Sequence, residues 1–497
     1  MNFHLPQRMD KLPLMPTIDQ SPSLVVATVE DGSRKPQAAN EEQIDWRRTV
    51  LFGALAVGLL PWVAIYNGYP TVTPDSGSYL RAGAFHVALF PFRAPGYSVF
   101  TRWTSLGITA WFTIATQAII VVYILRETFE HLIGSDRKYV DRCLLSGVLV
   151  LAGLTSLPWL VSELMPDVFA GVLFLSAFLL AFAGELRLGQ RIVLALIMMI
   201  SVGTHTSLFP IAALYAASVV VLRLAGRHGY VPLSTRSFLA WLLVPIIAAG
   251  FWTATQNQKM GLGFRLSPSK NAYLLGRLFG NGLAHDFLLE NCPKRPFISC
   301  RYLSNLPKNE NLFLFGHPLL DELRGHDDEV EAIVYGTILA YPRKFVVSSV
   351  RQTLLQLAAL RTGGDMRLYI VFDWNFYDIQ RALPGDFRAF WISRQSRDLL
   401  YPLTDAVAPV HTIIFWLSVA SCVLFAWTGR FARVNKFFVS AIVFLVINAA
   451  VCGALAGVYD RYQSRVAWIM PLCLTAYICC MTGEWKRGVA RLGPTSR

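Results

Sequence analysis

Apolar runs long enough to cross a bilayer recur between Thr49 and Met481, and they leave few options for the fold. A crossing helix needs roughly 20 residues, and several runs approach that length. The expected fold class is therefore an all-α polytopic membrane protein. Its mean hydropathy of +0.43 and its 15% of charged residues agree. The formal charge of +13 would suit nucleic acid in a soluble chain. Here many of the arginines sit in short loops between apolar runs, the pattern of the positive-inside rule, so no nucleic-acid partner is expected. The chain's Trp, Tyr and Phe residues suit interfacial belts beside membrane lipids.

Charge fixes an expected topology of about ten crossings. Residues 1–45 read as a disordered cytoplasmic tail without a cleavable signal pattern. Arg47 and Arg48 hold the start of the first run, Thr49 to Tyr66, in the cytoplasm. The next crossings are expected near Gly107 to Leu125, Cys143 to Leu157 and Val168 to Ala183. Ile192 to Leu222 is too long for one crossing and splits at an outer turn around His205. Phe238 to Thr253, Val407 to Trp427, Phe437 to Leu455 and a last run ending near Met481 complete the set. The transmembrane domain thus covers residues 46–485, with outer loops at 67–105 and 256–402, and residues 486–497 form a cytoplasmic tail. Within the long outer loop, Lys344 to Leu360 carries apolar residues at helical spacing among polar ones, as an interfacial helix does. No internal repeat is evident, which weighs against an inverted-repeat transporter.

The stretch from Tyr66 to Trp103 concentrates chemistry. It holds three arginines and a single carboxylate, Asp75, just after the first apolar run. Thr73-Pro74-Asp75-Ser76 has the form of a helix start, which would put Asp75, Tyr79 and His86 on one face. Asp75 either answers a helix dipole or serves a reaction. Glu163 and Asp167 lie in an outer turn at the membrane edge, where carboxylates are costly. They read either as a second acidic site for an acceptor or a divalent metal, or as a solvated turn and cap. Arg81, Arg93, Arg461 and Arg465 sit in outer segments that the positive-inside rule disfavours, and an anionic ligand would account for them. His205 and His317 read as satisfied polar residues, and the aromatic cluster Phe372 to Asp378 either stacks on a sugar face with its carboxylates on hydroxyls or is a loop tucked on the interface. Cys292 and Cys300 lie in the long outer loop, where a disulfide and two free thiols are both open. The other six cysteines fall in or beside apolar runs and read as packing residues.

A cytoplasmic N-terminus, one crossing and a large first outer loop with an early Asp resemble the GT-C superfamily of polytopic glycosyltransferases. Aminoarabinose transferases and protein O-mannosyltransferases belong to it. Phe92-Arg93-Ala94-Pro95-Gly96-Tyr97 is similar to the turn that leads into the second crossing of such enzymes. Asp460-Arg461-Tyr462, followed by Arg465 and Pro471, resembles the Arg-Tyr and proline pattern near their last crossings. The first loop departs from well-known members, which often carry Asp-Glu where this chain has Asp75-Ser76.

The resemblance implies an inverting transfer of sugar from a polyprenyl-phosphate donor to a hydroxyl on lipid, glycan or protein, at the outer face of the cytoplasmic (inner) membrane. Asp75 would be the base, and Arg81, Arg93, Arg461 and Arg465 would hold the donor phosphate. Tyr79, His86 and Tyr462 would support them. No cofactor is called for, and a divalent metal stays open. An oligosaccharide polymerase or ligase with the same carrier is one rival. A transporter or flippase for a lipid-linked substrate is the other.

Overall fold

The computed structural model describes residues 35–85, 93–134, 136–224, 234–366 and 374–491. The chain falls into two compact units, residues 1–47 and 48–497. Only the opening of the first helix is described in the former, so most of the expected N-terminal tail lies outside the described residues, as does His86. All regular structure among the described residues is helical.

The first half comprises α1 (Lys35–Leu59), α2 (Trp62–Asn67), α3 (Ser76–Phe85), α4 (Pro95–Ser105), α5 (Ala110–Ile133), α6 (Arg137–Leu154), α7 (Leu157–Ser162), α8 (Val168–Phe182), α9 (Leu188–Thr204), α10 (Leu208–Leu224) and α11 (Thr235–Lys259). Short helices follow: α12 (Lys270–Gly280), α13 (Leu283–Asn291), α14 (Glu310–Phe315), α15 (Leu319–Glu322), α16 (Asp327–Ala340), α17 (Pro342–Ala358), α18 (Trp374–Ala382) and α19 (Phe387–Trp391). The chain closes with α20 (Tyr401–Trp427), α21 (Ala432–Leu455), α22 (Asp460–Ala467) and α23 (Ile469–Arg491).

Among the described residues, five helical stretches are long and apolar enough to cross a membrane: Ala110–Ile133, Ser237–Lys259, Tyr401–Trp427, Ala432–Leu455 and Asp460–Glu484. Helices α8, α9 and α10 are apolar but shorter, at 15, 17 and 17 residues. At 1.5 Å per residue, α8 reaches roughly 22 Å, less than the ~30 Å hydrocarbon core. Every residue of α8 is buried. A helix apolar on all sides belongs at the centre of a bundle, and α5, α9, α10, α11, α21 and α22 pack around it.

Three expected crossings differ in detail. The first is interrupted at Pro61, between α1 and α2, because proline brings no amide hydrogen to the helical ladder. The third stops at Leu154, where Thr155 accepts from the Leu157 amide and Pro158 opens the separate α7. The outer turn expected at Tyr459 to Arg465 is instead the helix α22, which leads almost directly into α23.

The long region expected as an outer loop has a core of its own. Leu275, Leu278, Phe313, Leu319, Ile333 and Val334 close α12 to α16 around it, and a Cys292–Cys300 disulfide ties the end of α13 to the next turn. Helix α17 presents Val346, Val347, Val350 and Leu354 outward while packing against α21. Its buried Gln356 donates to the Tyr459 carbonyl and accepts from the Tyr459 amide, which fixes the start of α22.

The first outer segment is knitted into this scaffold. The Thr71 amide donates to the Ser162 carbonyl, and the Leu164 amide donates to the Thr71 carbonyl, both at 2.9 Å. Gln395 accepts from the Val72 amide and donates to the Val72 and Met366 carbonyls. Asn375 donates to the Thr73 carbonyl. The loop that carries Asp75 is therefore held on both sides by distant parts of the chain. Pro95 opens α4, and Gly96 lets it meet α9: a Cβ at Gly96 would lie 2.1 Å from the Gly203 carbonyl oxygen.

Candidate functional site

Asp75 precedes the first residue of α3, with its amide 3.4 Å from the Thr73 hydroxyl. Its carboxylate pairs with Arg93, which stands just ahead of α4, and with Arg461 of α22 at 3.2 Å. Arg461 also meets Asp167 at 3.3 Å and Asp365 at 3.5 Å. Arg465, one helical turn further along α22, pairs with the other oxygen of Asp167 at 3.4 Å. Side chains from the first loop, the Glu163 turn, the long outer region and the last helical stretch thus form one chain of alternating charge. Nitrogens at Nε of Arg93 and Arg461 are buried without a hydrogen-bond partner, so donors remain for an incoming anion.

A cavity of about 340 Å³ opens beside this chain. Asp75, Tyr79, Arg93, His205, Lys270, Tyr273, Arg461 and Tyr462 are among its polar lining residues. Val202, Phe209, Pro210, Leu274, Val451 and Leu455 line the same cavity. The site can therefore hold a charged group and an apolar chain side by side. Known protein families, curated proteins and solved structures offer no match to this chain.

Glu163 and Asp167 face a second, much smaller chamber of about 20 Å³ together with Asp365 and Arg461. Arg461 borders both chambers. The turn that carries Glu163 is fixed from behind. Tyr97 donates to Gln117 at 2.8 Å, and Gln117 donates to the Val161 and Glu163 carbonyls at 2.9 and 3.1 Å. Burial, then the neighbouring Asp167, pushes the Glu163 carboxyl well above the usual carboxylate range. Unlike Asp167, Glu163 pairs with no arginine among the described residues. With Glu163 protonated, the charges of Asp75, Asp167 and Asp365 balance those of Arg93, Arg461 and Arg465. Among the described residues, no group of three or more His, Cys, Asp or Glu is disposed to hold a metal ion.

This protonation carries a signed expectation. A carboxyl with a raised folded-state pKa favours the folded state least at high pH, because charging it there costs stability. Glu163→Gln should melt no lower than wild type at neutral pH. Its relative stability should grow as pH rises above the ordinary glutamate range. Melting curves of the detergent-solubilised pair across pH check this, and a variant that loses ground with rising pH would refute it.

His205 caps α9 at the turn into α10. Burial, then Arg465, Arg461 and Arg93, pushes its pKa well below the ordinary histidine value, so the ring stays neutral. Its Nδ1 accepts from the Ser207 amide at 3.2 Å, which assigns the proton to Nε2. The Ser207 hydroxyl lies 2.9 Å from the same nitrogen and accepts from Arg465 at 3.1 Å. Burial also raises the Tyr79 phenol, which stays protonated beside Tyr97.

Two arginines take other places. Arg81 pairs with Asp378 of α18 at 3.4 Å and does not line the cavity. At 100° per residue, Arg81 stands about 240° around the helix from Asp75, which puts it on another face. Arg465 is wholly buried behind Asp167 and donates also to Asn448 at 2.9 Å. It braces the site and does not line the cavity. His317 is held between the Asn305 carbonyl and the Leu319 amide. Phe372 and Asp373 of the aromatic cluster lie outside the described residues, and Phe376 packs against Phe387 and Trp391.

Lys270, Tyr273 and Asp365 were not legible as site residues. All three come from the long region, where no motif or periodicity separates them from other polar residues. A basic and aromatic Lys270-Asn271-Ala272-Tyr273 at a helix start was the only available signal.

Proposed function

We propose that the protein is a membrane glycosyltransferase of the GT-C kind that its sequence resembles. It would move a sugar from a polyprenyl-phosphate donor to a hydroxyl on lipid, glycan or protein. The observation that carries this reading is the meeting of Asp75, Arg93 and Arg461 in a cavity that apolar side chains also line. The phosphate meets the guanidinium groups, and the prenyl chain lies along the apolar side chains.

Arg93 and Arg461 both pair with Asp75. The donor phosphate draws both guanidinium groups toward itself, matching their paired donors to its oxygens. Lys270 adds a further positive charge, and the Nε2–H of His205 a neutral donor. Asp75, released from its partners, takes the proton of the acceptor hydroxyl. That oxygen bonds to the sugar's anomeric carbon as the carbon–oxygen bond to phosphate breaks. The electron pair leaves with polyprenyl phosphate, and the anomeric configuration inverts.

We read about ten crossings with both termini in the cytoplasm, and we place the Asp75 cavity at the outer face of the cytoplasmic membrane. Lys270 and Asp365 come from the long outer region, which favours a polymerase or ligase as the second reading. Proteoliposomes supplied with polyprenyl-phosphate sugar test the proposal. Labelled sugar covalently joined to an acceptor supports a transferase. Outward movement of the donor with no glycosylated product would replace it with a transporter.

A further inference from the structure

A second concavity, of about 880 Å³, lies on the other side of the α3–α4 pair and shares no lining residue with the Asp75 cavity. Three cations face it: Arg102 in the last turn of α4, Lys259 in that of α11, and Arg381 in that of α18. Among the described residues, no Asp or Glu lines it. A basic residue in a last helical turn ordinarily answers that helix's own dipole. Arg102 does something else, because it donates to the Gly83 carbonyl of α3 at 2.8 Å. Lys259 and Arg381 make no ion pair among the described residues, so three helices bring positive charge to one groove without a balancing acid.

The rim of the groove has the opposite character. Trp103 and Leu106 line it and are 72% and 65% exposed. Ile108, just beyond, is 61% exposed. Lys259 ends a helix long and apolar enough to cross a membrane, which sets the groove at the level where that helix leaves the bilayer. An exposed Trp at that level is an interfacial anchor. Exposed cations and exposed apolar side chains along one groove fit a molecule with a negatively charged head and an apolar body. We propose that this groove binds the phosphate head of an anionic membrane lipid, with Lys259 and Arg381 on the phosphate and Trp103 and Leu106 along the lipid backbone. The proposal does not rest on the transferase reading.

Native mass spectrometry of the full chain in neutral detergent tests it. Phosphatidylglycerol, phosphatidylcholine and inorganic phosphate are the probes. Wild type should retain phosphatidylglycerol in preference to phosphatidylcholine. The Lys259→Gln/Arg381→Gln variant should lose that preference by about tenfold or more, as two charge-assisted contacts go. The Lys259→Arg/Arg381→Lys variant, which keeps both charges, should restore it. Arg102 is left alone because it closes the end of α3. Equal retention of the two lipids, or a preference that survives the glutamine variant, would overturn the proposal. So would full displacement of phosphatidylglycerol by inorganic phosphate at comparable concentration, which would make this a site for free anions.

Discussion

Asp75→Asn should fold, yet lose sugar transfer by about 10²–10⁴-fold, the usual worth of a positioned acid or base. The amide is nearly isosteric, and its single oxygen can still accept from one of the two arginines, which meet different oxygens of Asp75. The side chains of Asp75 and Arg93 are 20% and 14% exposed, so water reaches the pair that is weakened. Arg461 keeps Asp167 and Asp365 as partners. What disappears is a group able to take a proton. Transfer by the purified variant in proteoliposomes reads the effect, with melting temperature as the control. A variant that transfers at the wild-type rate would remove Asp75 from the chemistry.

The largest effect on stability should come from Arg465. Arg465→Leu leaves Asp167, 3% exposed at its side chain, without its deepest partner and strips Asn448 and Ser207 of a donor. Breaking a buried pair from one side costs about 3–5 kcal/mol, because a charge stays behind in a poorly solvated place. The expected result is a steep fall in melting temperature or in yield of folded protein. Replacing both partners by apolar residues of similar size should recover most of the loss, as in Arg465→Met/Asp167→Leu. Arg461 would still hold Asp75 and Asp365 there. If the double variant is as unstable as the sum of its singles, the pair is not what the fold depends on.

Much of the scaffold could be read from the chain because lipid imposes a simple rule on composition. Long apolar runs emerge as helices at Ala110–Ile133, Tyr401–Trp427 and Ala432–Leu455. Run length alone does not reveal the setting of α8, a 15-residue apolar helix that is wholly buried at the bundle centre. Asp75, Arg93 and Arg461 stand out in the sequence as a lone acid and as cations in segments read as outer. In the structure they share one pairing. Arg81 stands out by the same reading, but it pairs with Asp378. Sequence offers the anomaly but not the partner. Asp365 and Lys270 were hidden because their places depend on the fold of the long region, which hydrophobic pattern does not specify. The spacing of Cys292 and Cys300 likewise left open the bond that the structure contains.

The central claim is that Asp75 and an incoming phosphate compete for the same two guanidinium groups. Binding of a polyprenyl monophosphate to purified protein, followed by intrinsic fluorescence, tests this most directly. Asp75→Asn should bind as tightly as wild type or more tightly, since the competing carboxylate is gone. Arg93→Gln should bind about tenfold more weakly or worse, having lost a charge-assisted contact. Weakened binding by Asp75→Asn together with undiminished binding by Arg93→Gln would contradict the claim.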